Sequence, residues 1–168
     1  MLAGFLAATN PARVAIAARA ERPRPGAVAL AGLLGAGLVV VAALLGDELL
    51  DALDVSPESF RIAAGLVAGA TGARWIGWPR FDGPFAAVLV TPELACLAVS
   101  FGADEPIGTV LAAAAISVPL LAVAALSHPG KPSAPERSDE PAVVAARFLA
   151  ALQVVVAVGL VVSGVCEV

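Results

Sequence analysis

The 168-residue sequence contains no tyrosine, one histidine, one methionine and two cysteines, and only 14 % of it is charged. Each shortage removes a class of function. One histidine and two separated cysteines supply no metal cage. Few aromatics (5 %) and a net charge of −4 leave neither a stacking platform nor a basic surface for nucleic acid. Cys96 falls inside one apolar segment and Cys166 at the end of another, so both read as small packing residues outside any disulfide framework. The sequence also lacks a His-Glu pair, a Gly-x-Ser-x-Gly element, paired aspartates within its apolar segments and a Walker loop. An enzyme, a resident metal and a cofactor are therefore not expected.

Apolar surface is what the chain has in abundance, at 60 % hydrophobic residues and a mean hydropathy of +0.92. An average soluble domain carries roughly 25 % charged residues, which interrupt its apolar stretches every few positions. Windows of about 20 residues, the length that crosses a bilayer, give spans at Gly26–Gly46, Pro57–Gly77, Pro84–Phe101, Ile107–Ser127 and Ala142–Val165. A further span, Met1–Ala20, holds Asn10, Pro11 and Arg13 near its middle. Its charge follows the apolar stretch instead of preceding it, so it reads as an uncleaved membrane helix and not as a signal peptide. The expected fold is all-α, a single polytopic domain of six transmembrane helices over residues 1–168.

Arginine and lysine near helix ends stay on the cytoplasmic side during insertion. Arg19, Arg22 and Arg24 follow the first span, Arg74 and Arg80 the third, and Lys131 and Arg137 the fifth. The alternate connections carry Asp47, Glu48, Asp51, Asp54, Asp104 and Glu105 with no basic residue. This pattern predicts a cell (inner) membrane location with both termini outside. Trp75 and Trp78, beside Arg74 and Arg80, read as headgroup anchors. Residues 47–55 read as a short amphipathic helix at the outer interface, and the Pro-rich stretch 128–141 as a flexible inner linker. His128 in that linker has no ligand-type neighbour and receives no role.

Two Pro-interrupted segments, Asn10-Pro11 and Thr91-Pro92, stand 81 positions apart. Sliding one onto the other also aligns Pro25 with Pro106, while Arg61-Ile-Ala-Ala-Gly-Leu resembles Arg147-Phe-Leu-Ala-Ala-Leu. The chain thus divides into repeats of about 1–80 and 81–168. Each holds three helices, and because three is odd the second enters from the opposite face, giving an inverted repeat with broken first and fourth helices.

Proline lacks an N–H and clashes with the preceding turn, which frees backbone amides and carbonyls at depth in the membrane. Where two such breaks meet, half-helix N-termini can hold an anionic group and exposed carbonyls a cation. The candidate substrate-binding residues are therefore Asn10, Pro11, Arg13, Thr91, Pro92 and Glu93. A buried charge at a span centre costs on the order of 3 kcal/mol, so Arg13 and Glu93 are expected to face a cavity or one another. For Arg13 the other reading is snorkelling to the inner headgroups from a short first helix. Arg61 and Arg147, each near the start of the third helix of its half, read as helix-end charges held by lipid phosphate or a neighbouring carbonyl, or as gates, one for each side. Ser56, Pro57 and Glu58 read as a helix start.

Phe5-Leu-Ala-Ala-Thr-Asn-Pro, Ser56-Pro-Glu-Ser-Phe-Arg-Ile-Ala-Ala-Gly, the Thr91-Pro92 helix, and Arg147-Phe-Leu-Ala-Ala-Leu-Gln with Gly164 together resemble the MarC family of integral membrane proteins. That family belongs with the amino-acid exporters of the LysE superfamily. The resemblance runs over essentially the whole chain in order and spacing. It implies six helices, an Asn-Pro break in the first, and movement of small neutral amino acids or similar metabolites. Two departures stand out: Arg13 occupies a position where family members commonly have glycine, and Glu93-Leu-Ala-Cys-Leu replaces a Gly-Pro-Gly element.

The resulting expectation is a secondary transporter for a small zwitterionic solute, driven by a gradient of solute, H+ or Na+ because no ATP-binding motif is present. The alternative is a non-transporting membrane scaffold or accessory subunit. Small residues at Gly32, Gly35, Gly37, Gly65 and Gly69, with Gly159 and Ser163 four apart, allow close helix approach within one bundle or a homo-oligomer.

Overall fold

The computed structural model describes residues 2–21, 25–77, 91–115 and 140–167, and every regular element among them is helical. Trp78, Arg80, His128, Lys131, Arg137 and most of the 128–141 linker lie outside the described residues, as do parts of the predicted fourth and fifth spans.

Asn10 divides the first apolar segment into α1 (Leu2–Thr9) and α2 (Pro11–Glu21). A residue before proline is pushed out of the right-handed helical region. Asn10 responds with φ of 40°, a region that asparagine enters more readily than most side chains. The segment bends here without coming apart. The Asn10 amide still donates to Leu6 O at 3.1 Å, and the Val14 amide to Asn10 O at 3.2 Å.

α3 (Pro25–Leu44) leads into the short α4 (Gly46–Ala52), whose charged residues Asp47, Glu48 and Asp51 are exposed while Leu50 is buried. α4 ends with Asp54 at φ 53°, the Asp54 amide donating to Asp51 O and the Val55 amide to Leu50 O. This paired C-terminal closure turns the chain into α5 (Pro57–Gly77). Ser56 Oγ accepts the Ser59 amide at 3.2 Å, so the start of α5 is capped as its sequence predicts. α6 (Pro92–Gly102) and α7 (Pro106–Ala115) follow, then α8 (Glu140–Glu167). Pro141 therefore belongs to a helix and not to the linker, since the first turn tolerates a residue without an N–H.

The broadest helix pairing is α5 against α8. A Cβ on Gly65 would lie 2.7 Å from Ala157 O, one on Gly72 3.0 Å from Ala150 O, and one on Gly164 2.7 Å from Glu58 O. The helices thus run antiparallel with their backbones touching, and only glycine fits at these three points. Gly69 is in ordinary contact with Ala157, whereas Gly37 and Gly159 meet nothing within 4 Å among the described residues. Of the small-residue pattern, Gly65 thus serves the α5–α8 pairing, Gly32 and Gly35 are buried on α3, and Gly37 and Gly159 are open among the described residues.

Phe5, Ala8, Val39, Leu94, Leu97, Ala98 and Leu160 form an apolar core, in which the Phe5 and Phe101 rings lie 5.9 Å apart. α2 packs on α8, and α6 packs on α5. By length and composition, Gly26–Leu44 of α3 and Pro141–Glu167 of α8 are long and apolar enough to cross a membrane. Only 33 % and 28 % of those windows are buried within the chain, so most of their apolar surface faces outward.

Candidate functional site

Asn10 is 1 % exposed, and its side chain joins three elements. Its Oδ1 accepts the Arg13 amide at 3.1 Å, capping α2 three residues on, while Nδ2 donates to Ala146 O of α8 at 3.0 Å. Asn10 therefore bends the chain, caps the new helix and ties the bend to α8.

The cap fixes the backbone of Arg13, whose guanidinium reaches the start of α6. Arg13 NH1 donates to Glu93 Oε1 at 3.2 Å, with both residues under 5 % exposed. Arg13 Cζ also lies 5.1 Å from the centroid of the Trp75 ring on α5, a cation–π contact. Trp75 is itself buried. The headgroup-anchor expectation is thus corrected for Trp75: its helical azimuth turns it inward beneath the guanidinium, although Arg74 beside it is exposed. Arg13 is not snorkelling.

Thr91 occupies the N-cap position of α6 in extended conformation and is 4 % exposed, yet its hydroxyl makes no capping bond. Its carbonyl accepts the Leu94 and Ala95 amides. Pro92 follows as the first helical residue and is exposed. Glu93 in this first turn sits where the helix dipole favours negative charge. The structure thus brings Asn10, Arg13 and Glu93 into one connected group, with Pro11 and Pro92 opening the helices that carry the two charges.

The candidate gates differ from one another. Arg61 pairs with Asp104, at the corner between α6 and α7, and with Glu167 at the end of α8. Arg147 is exposed on α8 and makes no ion pair among the described residues. At about 1.5 Å of rise per residue, roughly 21 Å of α5 separates Arg61 from Trp75, and roughly 16 Å along α6 and its closing turn separates Asp104 from Glu93.

No family model, curated protein or solved structure matches this chain. The arrangement has to be read from its own chemistry. A residue to which the sequence assigns no role ties α8 to α5: Gln153, 2 % exposed on α8, donates through Nε2 to Ala68 O at 3.0 Å and to Thr71 Oγ1 at 2.8 Å. A lone amide in the middle of a long apolar helix is the signal that could have marked it. No group of three or more metal-ligating side chains occurs among the described residues.

Proposed function

We propose that this chain is a six-span membrane protein of two inverted three-helix repeats, a divergent member of the MarC family, and that it moves a small zwitterionic solute such as a neutral amino acid by alternating access. The observation that carries this reading is the buried Arg13–Glu93 pair at the meeting of two proline-started helices.

Separating a buried ion pair by removing one partner costs about 3–5 kcal/mol, because a bare charge is left behind. A zwitterion avoids that cost: its carboxylate takes Arg13, its ammonium takes Glu93, and neither ion goes unpaired. A simple anion or cation satisfies only one of the two. The Trp75 face holds the guanidinium while its carboxylate partner is exchanged. H+ or Na+ is the candidate coupling ion.

Large side chains turned outward on the two longest apolar helices, among them Leu33, Val41, Phe148, Val155 and Val162, support the bilayer as solvent. The antiparallel course of α5 and α8 is what an inverted repeat requires of its two third helices. An axis relating residue 61 to residue 147 in the observed register passes between Ala68 and Val154, beside the bond from Gln153 to Ala68 O.

The hydrogen bonds that join Asn10 to α2 and α8 and Arg13 to Glu93 favour a second reading, in which the group is a structural lock in a non-transporting scaffold or accessory subunit. Uptake of a radiolabelled small-amino-acid panel into proteoliposomes, under imposed proton and sodium gradients, separates the two. Saturable uptake that collapses in Glu93→Gln and Asn10→Ala, with folding in detergent retained, is the transporter result. Background flux in all three, with reconstitution confirmed, is the scaffold result.

A further inference from the structure

The stripe of α6 that starts at Glu93 does not end there. At 3.6 residues per turn, positions seven and eleven further on return to within about 20° of the same azimuth. Those positions are Ser100 and Asp104. One face of α6 therefore carries Glu93, paired with Arg13, and then Ser100, and the turn that closes the helix continues it to Asp104, paired with Arg61. Cys96, half-buried, lies one turn beyond Glu93 near the same stripe.

Ser100 is the telling member. It is 2 % exposed, and its Oγ has no hydrogen-bond partner among the described residues. A buried hydroxyl left unpaired is costly, and such groups are rare in native proteins. α5 runs antiparallel to this stripe, from Arg61 at the Asp104 end to Trp75 at the Glu93 end. Between those two residues it offers the fully buried Ala64 and Ala68, and then Thr71, whose hydroxyl accepts from Gln153. The seam between α5 and α6 is thus closed at each end by an arginine–carboxylate contact, with small buried side chains of α5 and the Ser100 hydroxyl of α6 between them, while Thr71 turns its hydroxyl to α8.

We propose that this seam is the solute's route between the Arg13–Glu93 pair and the acidic end of the molecule, with Ser100 the polar contact midway and the Arg61–Asp104–Glu167 cluster its gate. The route rests on the transporter reading above. Release of Arg61 from its two carboxylates lets the ends of α5, α6 and α8 part. Water or a solute headgroup then reaches Ser100, which lies about 6 Å of helix rise from Asp104 and about 10 Å from Glu93.

The test is thiol accessibility in proteoliposomes. Cys96 and Cys166 are replaced by alanine, Ser100→Cys is introduced, and a membrane-impermeant methanethiosulfonate is applied to the side on which an Asp54→Cys control reacts. The route predicts slow labelling of Ser100→Cys and roughly tenfold faster labelling once Arg61→Ala is added, since two partly exposed ion pairs hold the gate. Asp104→Asn combined with Glu167→Gln must produce the same acceleration, which keeps the test decisive should Arg61→Ala fail to fold. Labelling at Leu66→Cys, an outward-facing position, must not change. An unchanged rate at Ser100→Cys in folded gate variants overturns the route. Labelling is read without any solute, so uptake with ungated labelling refutes the route alone, and gated labelling without uptake refutes only the solute class.

Discussion

Arg13 and Glu93 lie 80 positions apart in the chain and meet at 3.2 Å, each as the third or second residue of a helix that opens with proline. Both are buried, so their mutual dependence dominates the energetics of the site. Single substitutions Arg13→Gln and Glu93→Gln should each destabilise the protein by about 3–5 kcal/mol, whereas the double variant should lose less than the sum. Thermal unfolding in detergent, arranged as a double-mutant cycle, measures the coupling.

Asn10 combines a cap, a tie to α8 and a positive φ. Asn10→Ala loses both hydrogen bonds and replaces a residue that tolerates positive φ with one that enters it less readily, for an expected loss of about 2 kcal/mol or more. Asn10→Gly loses the same bonds but accepts the conformation, and should be the milder change. The order of the two midpoints in thermal unfolding checks this.

Gly65 has backbone 2.7 Å from where a Cβ would stand, while Gly159 faces open space. Gly65→Ala should therefore cost about 1–3 kcal/mol through forced separation of α5 and α8. Gly159→Ala should be neutral or slightly stabilising, because alanine is the better helix former. Melting curves of the two variants side by side make the comparison.

Gln153→Leu removes the donor for Ala68 O and Thr71 Oγ1 from a fully packed helix interface. The expected loss is about 1–3 kcal/mol, the cost of burying partners left unmatched. Gln153→Glu keeps the shape but sets a carboxylate oxygen against the Ala68 carbonyl and buries a charge, and should be worse in thermal unfolding.

Much of this arrangement is local and therefore legible in the sequence. Asn-Pro specifies a bend because the proline ring excludes the preceding residue from the helix, and Ser56-Pro57 specifies a helix start; both appear where the residues dictate. That Arg13 should find Glu93 follows from the cost of leaving either charge alone. Trp75 was hidden because its sequence neighbours are basic, while its side-chain direction depends on the rotation of α5 within the bundle. Arg61 likewise looked like a helix-end charge, since its partners Asp104 and Glu167 come from two distant helix ends that only the packed bundle brings together. Gly37 and Gly65 are indistinguishable as letters, and only the choice of partner helix separates them.

The most direct test of the central claim compares amino-acid exchange by Glu93→Asp and Glu93→Gln with that of the unaltered protein in proteoliposomes, all at matched amounts of folded protein. The account predicts substantial exchange in the aspartate variant, which keeps a carboxylate for the ammonium group, and loss of exchange in the glutamine variant. Exchange in Glu93→Gln equal to that of the unaltered protein would contradict it.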